Sequence, residues 1–178
     1  MHSRINELMT HLDVQRAILQ ATFDAVPPAV RDRAPAAGGW SVAGVIEHLA
    51  MIEERVAGML AARISKARDE GIGEETADTP VLPTFNLSRV LDRSIRINAP
   101  DISHPTGLTA DEAWAALERG SALLRGVLRD ADGLRLGDIL LQHPAFGALT
   151  VYEWVAVAGV HEARHAAQIC EIAAAAQG

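Results

Sequence analysis

The chain has 178 residues, 49% of them hydrophobic and 22% charged, a balance expected of one soluble globular domain spanning residues 1–178. Sixteen Lys and Arg against 23 Asp and Glu give a formal charge of −7, and no basic run marks a face able to neutralise phosphates, which argues against nucleic acid as a partner. The longest weakly polar run, residues 154–176, is broken by His, Glu and Arg, so it is not the roughly 20-residue apolar span that a bilayer requires. A lone Cys170 and an N-terminus without the apolar core of a signal peptide give a cytoplasmic expectation.

From Ile5 to about Phe23 the apolar residues Ile5, Leu8, Leu12, Ile18 and Leu19 recur mostly at helical spacing, until "VPP" at 26–28 stops the pattern. Past Gly38 and Gly39, Ser41 is placed to cap a second helix that buries Val42, Val45, Ile46, Leu49, Ile52, Val56 and Leu60 and runs to about Arg68. About forty residues follow, with Pro80, Pro83, Pro100 and Pro105 among them, a connection long enough to cross a bundle. Within it, residues 86–95 are expected to form at most a short helix.

Thr109 and Glu112 form a capping box for a third long helix, through Trp114, Leu117, Leu123, Leu124 and Val127, which "ADG" at 131–133 ends. Thr150 and Glu153 repeat the device for a last helix carrying Trp154, Val157, Ile169 and Ile172. Four amphipathic helices without a convincing alternating strand pattern predict an all-α fold, a four-helix bundle with a long connection between helices two and three.

The last helix contains "HEARH" at 161–165, an H-E-x-x-H pattern that sets two imidazoles on one helical face. Two readings stand. Either His161 and His165 share a metal ion, or they are bundle-facing polar residues with Glu162 and Arg164 on the solvated side. A zinc protease fits poorly: Gln168 and Glu171 replace the Gly and His of the extended protease pattern, and Glu171 turns away from the ligand face.

A third ligand is better sought upstream, at His48, amid an apolar stretch where an unpaired imidazole is costly. The alternative for His48 is a buried imidazole bonded to a neighbouring helix. Gln168 lies near the ligand stripe, either to orient a ligand or as an amide at the core edge. Arg55 falls two turns beyond His48, for an anion or, more commonly for such a residue, a salt bridge. Cys170 is expected to be a buried apolar thiol, and Glu162 is a candidate base only if it reaches the metal.

"WSVAGVIEHL" at 40–49, "HPAFGALTVYEW" at 143–154 and "HEARHAAQI" at 161–169 together resemble the DinB-like superfamily of metal-binding four-helix bundles, which includes YfiT-like proteins and thiol-dependent transferases. The resemblance implies that His48, His161 and His165 are the metal ligands, that the ion is divalent, zinc or nickel foremost, and that a low-molecular-weight thiol serves as cosubstrate. It also implies that Pro144 and Gly147 set a turn before the last helix, that Phe146 packs inward, and that His143 is structural.

The preferred expectation is therefore a metal-dependent thiol S-transferase, or a related hydrolase, acting on a small molecule, with no catalytic base identified. The alternative is a non-catalytic metal-binding or stress-response interaction module, with a homodimer formed through helix faces.

Overall fold

The computed structural model describes residues 1–36, 38–82, 86–95 and 101–175, with the side chain of residue 101 left out. Four long helices dominate: α1 (Ser3–Ala25), α3 (Val42–Asp69), α5 (Ala110–Asp130) and α6 (Val151–Ala175). Two single turns, α2 (Pro28–Arg31) and α4 (Ser88–Leu91), lie in the connections. Among the described residues no helix is long and apolar enough to cross a membrane.

The expected caps form. Ser41 Oγ accepts from Gly44 N–H at 3.0 Å at the start of α3, and Thr109 and Glu112 satisfy each other's backbone at the start of α5. Thr150 N–H donates to Glu153 at 2.7 Å before α6. Leu123 and Ile18, read as part of the apolar pattern, are 53% and 46% exposed, because each faces solvent beside its buried stripe.

A short hairpin departs from the all-helical expectation. Strands β1 (Leu140–His143) and β2 (Gly147–Thr150) pair antiparallel, with Leu141 opposite Leu149 and His143 opposite Gly147. Four-residue strands, exposed along much of their length, leave too little alternation to read in sequence. Gly147 closes the turn at φ +78°, a conformation that glycine adopts without steric cost.

α1 packs chiefly on α6, and α3 chiefly on α5, with α3 also against α6. Two apolar clusters fill the interior. One joins Ile5, Leu8 and Leu12 to Leu60, Ile64, Leu128 and Val155; the other joins Leu19 and Phe23 to Val45, Ile46, Leu117 and Ile169. The N-terminal half of α1 thus shares a layer with the N-terminal half of α6 and the C-terminal halves of α3 and α5. α3 and α5 therefore run in the same direction, and the chain between them must travel back along a 28-residue helix, about 42 Å. This geometry requires the long connection.

The described residues of that connection have little regular structure, so their backbone groups need other partners. Charged side chains of the helices supply them. Glu7 accepts from Val81 N–H and Leu82 N–H at 2.7 and 3.1 Å, and Arg4 donates to Thr79 O at 3.0 Å. Arg164 donates to the carbonyls of Val90, Asp92 and Ile95 at 2.9, 2.7 and 2.7 Å. Glu47 accepts from the N–H groups of Thr106, Gly107 and Leu108 at 2.7, 3.1 and 3.1 Å.

Candidate metal centre

Between the two apolar clusters α1, α3 and α6 carry two polar groups, Arg16 with Glu53 and Glu162, and the three histidines. His48 on α3 and His161 and His165 on α6 each offer a ring nitrogen, and these atoms lie within 4.8 Å of one another. His48 and His165 are buried, 4% and 8% exposed, while His161 is the partly exposed member. The ring of Trp40 lies 4.9 Å from that of His48.

Hydrogen bonds fix which nitrogen faces the centre. The Ser103 carbonyl, which can only accept, lies 2.9 Å from His48 Nδ1, so the proton sits there and Nε2 is bare. Gln168 Oε1 accepts from His165 Nδ1 at 2.7 Å with the same consequence. His165 Nε2 and His161 Nε2 are 3.0 Å apart, a contact that a single proton bridges in the metal-free state.

Burial, before any other cause, holds the imidazoles neutral. It lowers the pKa of His48, lowers that of His161 well below the ordinary value, and takes His165 to about 3, with repulsion between the rings adding to the effect at His161 and His165. Neutral imidazole is the form that binds a metal. Two nitrogens about 2.0–2.1 Å from one ion lie roughly 3.0–3.4 Å apart, so the observed 3.0 Å spacing and the bare Nε2 atoms of His48 and His165 fit a divalent cation that would take the place of the proton between His161 and His165.

Glu162 does not face this centre. It is 2% exposed and receives Arg16 Nε and Nη2 at 3.0 and 2.9 Å, while Arg16 Nη2 also reaches Glu53 at 2.9 Å. Glu53, 3% exposed, is held protonated, its pKa pushed up to about 9 by burial and by the neighbouring Glu162 carboxylate. Arg164 is also buried, its guanidinium spent on the connection. The expectation of a solvated side for Glu162 and Arg164 is thus corrected: at this level α6 is covered by α1 on one side and by the connection on another. Glu162, committed to Arg16, is not placed as a base.

Two further expectations change. Cys170 is exposed, because the C-terminal turns of α6 regain a solvent face. Arg55 is exposed as well and lies outside the histidine cluster. Glu171 turns outward as expected and receives Arg93 Nε at 2.7 Å. Phe146 is half-buried against the core, and its ring lies 4.6 Å from that of His143, which is equally close to Trp154.

The Ser103 carbonyl, bonded to His48, and the Arg16 network, bonded to Glu53 and Glu162, are parts of the candidate centre's surroundings that sequence reading missed. The network had a signal. Arg16 lies between Leu12 and Leu19, Glu53 between Leu49 and Val56, and Glu162 between Ala158 and Ala166, so each charge interrupts a buried stripe at three- or four-residue spacing. The Ser103 carbonyl had none, since any residue presents one.

Residues 11–169 match the DinB superfamily. The chain is 30% identical over 141 residues to the uncharacterized protein YuaE of Bacillus subtilis (strain 168), covering 78% of this chain and 80% of that one. Among solved structures, TT2238, described as a four-helix bundle protein, aligns with a TM-score of 0.63 over 94% of this chain and 98% of its own, at 22% identity, a likeness of fold.

Proposed function

This chain belongs to the DinB superfamily, and from that premise we propose that Nε2 of His48, His161 and His165 hold one divalent ion, zinc or nickel, for transfer of a low-molecular-weight thiol to a small electrophile. The observation that carries this reading is the convergence of three neutral imidazoles whose outward nitrogens are already committed or turned away. Such an ion lowers the pKa of a thiol bound to it, supplying a thiolate at neutral pH.

The chain's own residues do the rest. Ser103 and Gln168 lock the tautomers of His48 and His165, and Trp40 screens His48 from water. His161, the partly exposed ligand, leaves a side for a small molecule to approach. The engagement of Glu162 by Arg16 favours a thiol over water as the nucleophile, because a thiol needs no strong base to ionise beside a cation. It also argues against the protease reading, which needs that glutamate at the metal.

The test is the metal content of protein purified without an affinity tag, for wild type and for His48→Ala, His161→Ala and His165→Ala. We expect about one ion per wild-type chain and loss in each variant while helical content is kept. Stoichiometric metal in any variant would remove that residue from the ligand set. Cobalt substitution then separates catalysis from a purely structural ion: an open site changes its visible spectrum on adding a thiol, and a closed one does not.

A further inference from the structure

The end of the connection, residues 103–108, is gripped almost residue by residue by α3 and its lead-in. The Ser103 carbonyl accepts from His48 Nδ1 at 2.9 Å, and the ring of His104 meets that of Trp40 edge-on at 5.8 Å. Pro105 packs on Gly44, where an added Cβ would lie 3.3 Å from the proline Cγ. Glu47 then accepts from Thr106 Oγ1 at 2.6 Å and from the N–H groups of Thr106, Gly107 and Leu108 at 2.7, 3.1 and 3.1 Å. Trp40, Gly44 and the adjacent Glu47 and His48 recur at three- and four-residue spacing, so a single side of this segment makes every one of these contacts.

Glu47 makes the strongest of them. Its carboxylate is 3% exposed and both of its oxygens are committed, to bonds that a charged acceptor strengthens. Three successive N–H groups converge on it because the turn passes through Gly107 at φ +108°, a conformation that other residues rarely adopt. A carbonyl orients an imidazole only when it is itself held in place. Ser103 lies three residues before the turn, with the stiff Pro105 between them.

We propose that Glu47 is a positioning residue for the candidate metal centre: by holding residues 106–108 on α3 it fixes the Ser103 carbonyl, and with it the tautomer of His48 and the aim of His48 Nε2. The consequence for the ion rests on the three-histidine reading; the consequence for the His48 ring does not. Coupling of this kind is reciprocal, so an ion on His48 tightens the turn in return.

Three variants separate positioning from stability in general. Glu47→Gln sets an amide NH2 against backbone donors, and Gly107→Ala strains the same turn without altering α3. Glu7→Gln is the control, loosening the connection at Val81 and Leu82 instead. Zinc affinity is read by competition with a chelator, and the His48 ring of metal-free protein by long-range 15N–1H spectra. Glu47→Gln and Gly107→Ala are each expected to weaken zinc about 10–100-fold and to lose the single Nδ1–H tautomer of His48. Glu7→Gln lowers the urea midpoint and changes neither reading. In wild type, zinc slows hydrogen exchange at the Gly107 and Leu108 amides. Wild-type affinity and tautomer in either turn variant would leave Glu47 a structural anchor and overturn the proposal, as would equal weakening in Glu7→Gln. If wild type takes up no zinc, the metal reading fails and the His48 tautomer alone decides: single in wild type and lost in both turn variants supports positioning, and any other pattern overturns it. Should Glu47→Gln fail to fold, Gly107→Ala decides by the same two readings.

Discussion

Arg16 is one buried cation shared by Glu53 and Glu162, and its removal would leave the Glu162 charge inside the bundle with no cation and only the neutral Glu53 carboxyl beside it. Breaking such a pair from one side costs about 3–5 kcal/mol, so Arg16→Met is expected to lower the urea unfolding free energy by that amount. The double variant Arg16→Met, Glu162→Gln should recover much of the loss, since no orphaned charge remains. Titration gives a second residue-scale prediction for the metal-free protein. His165, lowered to about 3, and the other two histidines contribute stability that is present above about 6.5 and lost as pH falls. Glu53, raised to about 9, acts in the opposite sense: its contribution is complete below about 4.5 and is lost as pH rises toward 9. Stability should therefore peak near pH ~6.5. In urea unfolding across the pH range, Glu53→Gln is expected to flatten the alkaline side alone; a decline that persists there would refute the assignment to Glu53.

The helix pairs are set by small residues as much as by large ones. On α5, a Cβ at Gly120 would lie 3.1 Å from the Ala50 carbonyl oxygen and 3.3 Å from Glu53 Cβ, so α3 and α5 touch through backbone at the level of Glu53. Gly126, on the same helix, has nothing within 4 Å of such an atom. Gly120→Val should force α3 away and destabilise by about 1–3 kcal/mol. Gly126→Ala should instead stabilise by up to about 1 kcal/mol, the gain in helix propensity. Chemical denaturation of the two variants side by side checks the contrast. Equal effects would mean that the close approach at Gly120 does not govern the pairing.

Across the whole molecule, the candidate centre joins α3 to α6, and through the Ser103 carbonyl it also holds the connection. An ion bound there would stabilise the folded chain by mass action, by about 4 kcal/mol when free metal exceeds its dissociation constant a thousandfold. Thermal unfolding with and without added zinc is expected to show a large upward shift in wild type and none in His48→Ala. A shift of equal size in that variant would place the stabilising ion elsewhere.

Much of this fold was legible because it is written locally. Apolar residues at three- and four-residue spacing marked the four long helices, and Ser41, Thr109 and Thr150 marked their starts to within a residue. The candidate ligands were legible for a related reason: i and i+4 on one helix need no tertiary information to share a face, and His48 stood out as a polar group in an apolar run. The hairpin was too short to leave a period. The fates of Glu162, Arg164, Cys170 and Arg55 depended on which side of a helix another element covers, and no local pattern carries that. The helices, their caps and the three candidate imidazoles could thus be read from local pattern alone. That the chain must return along the bundle, that Glu162 faces Arg16, and that Arg164 holds the connection follow only from the folded chain, because burial and charge pairing are properties of surfaces brought together from distant parts of the sequence.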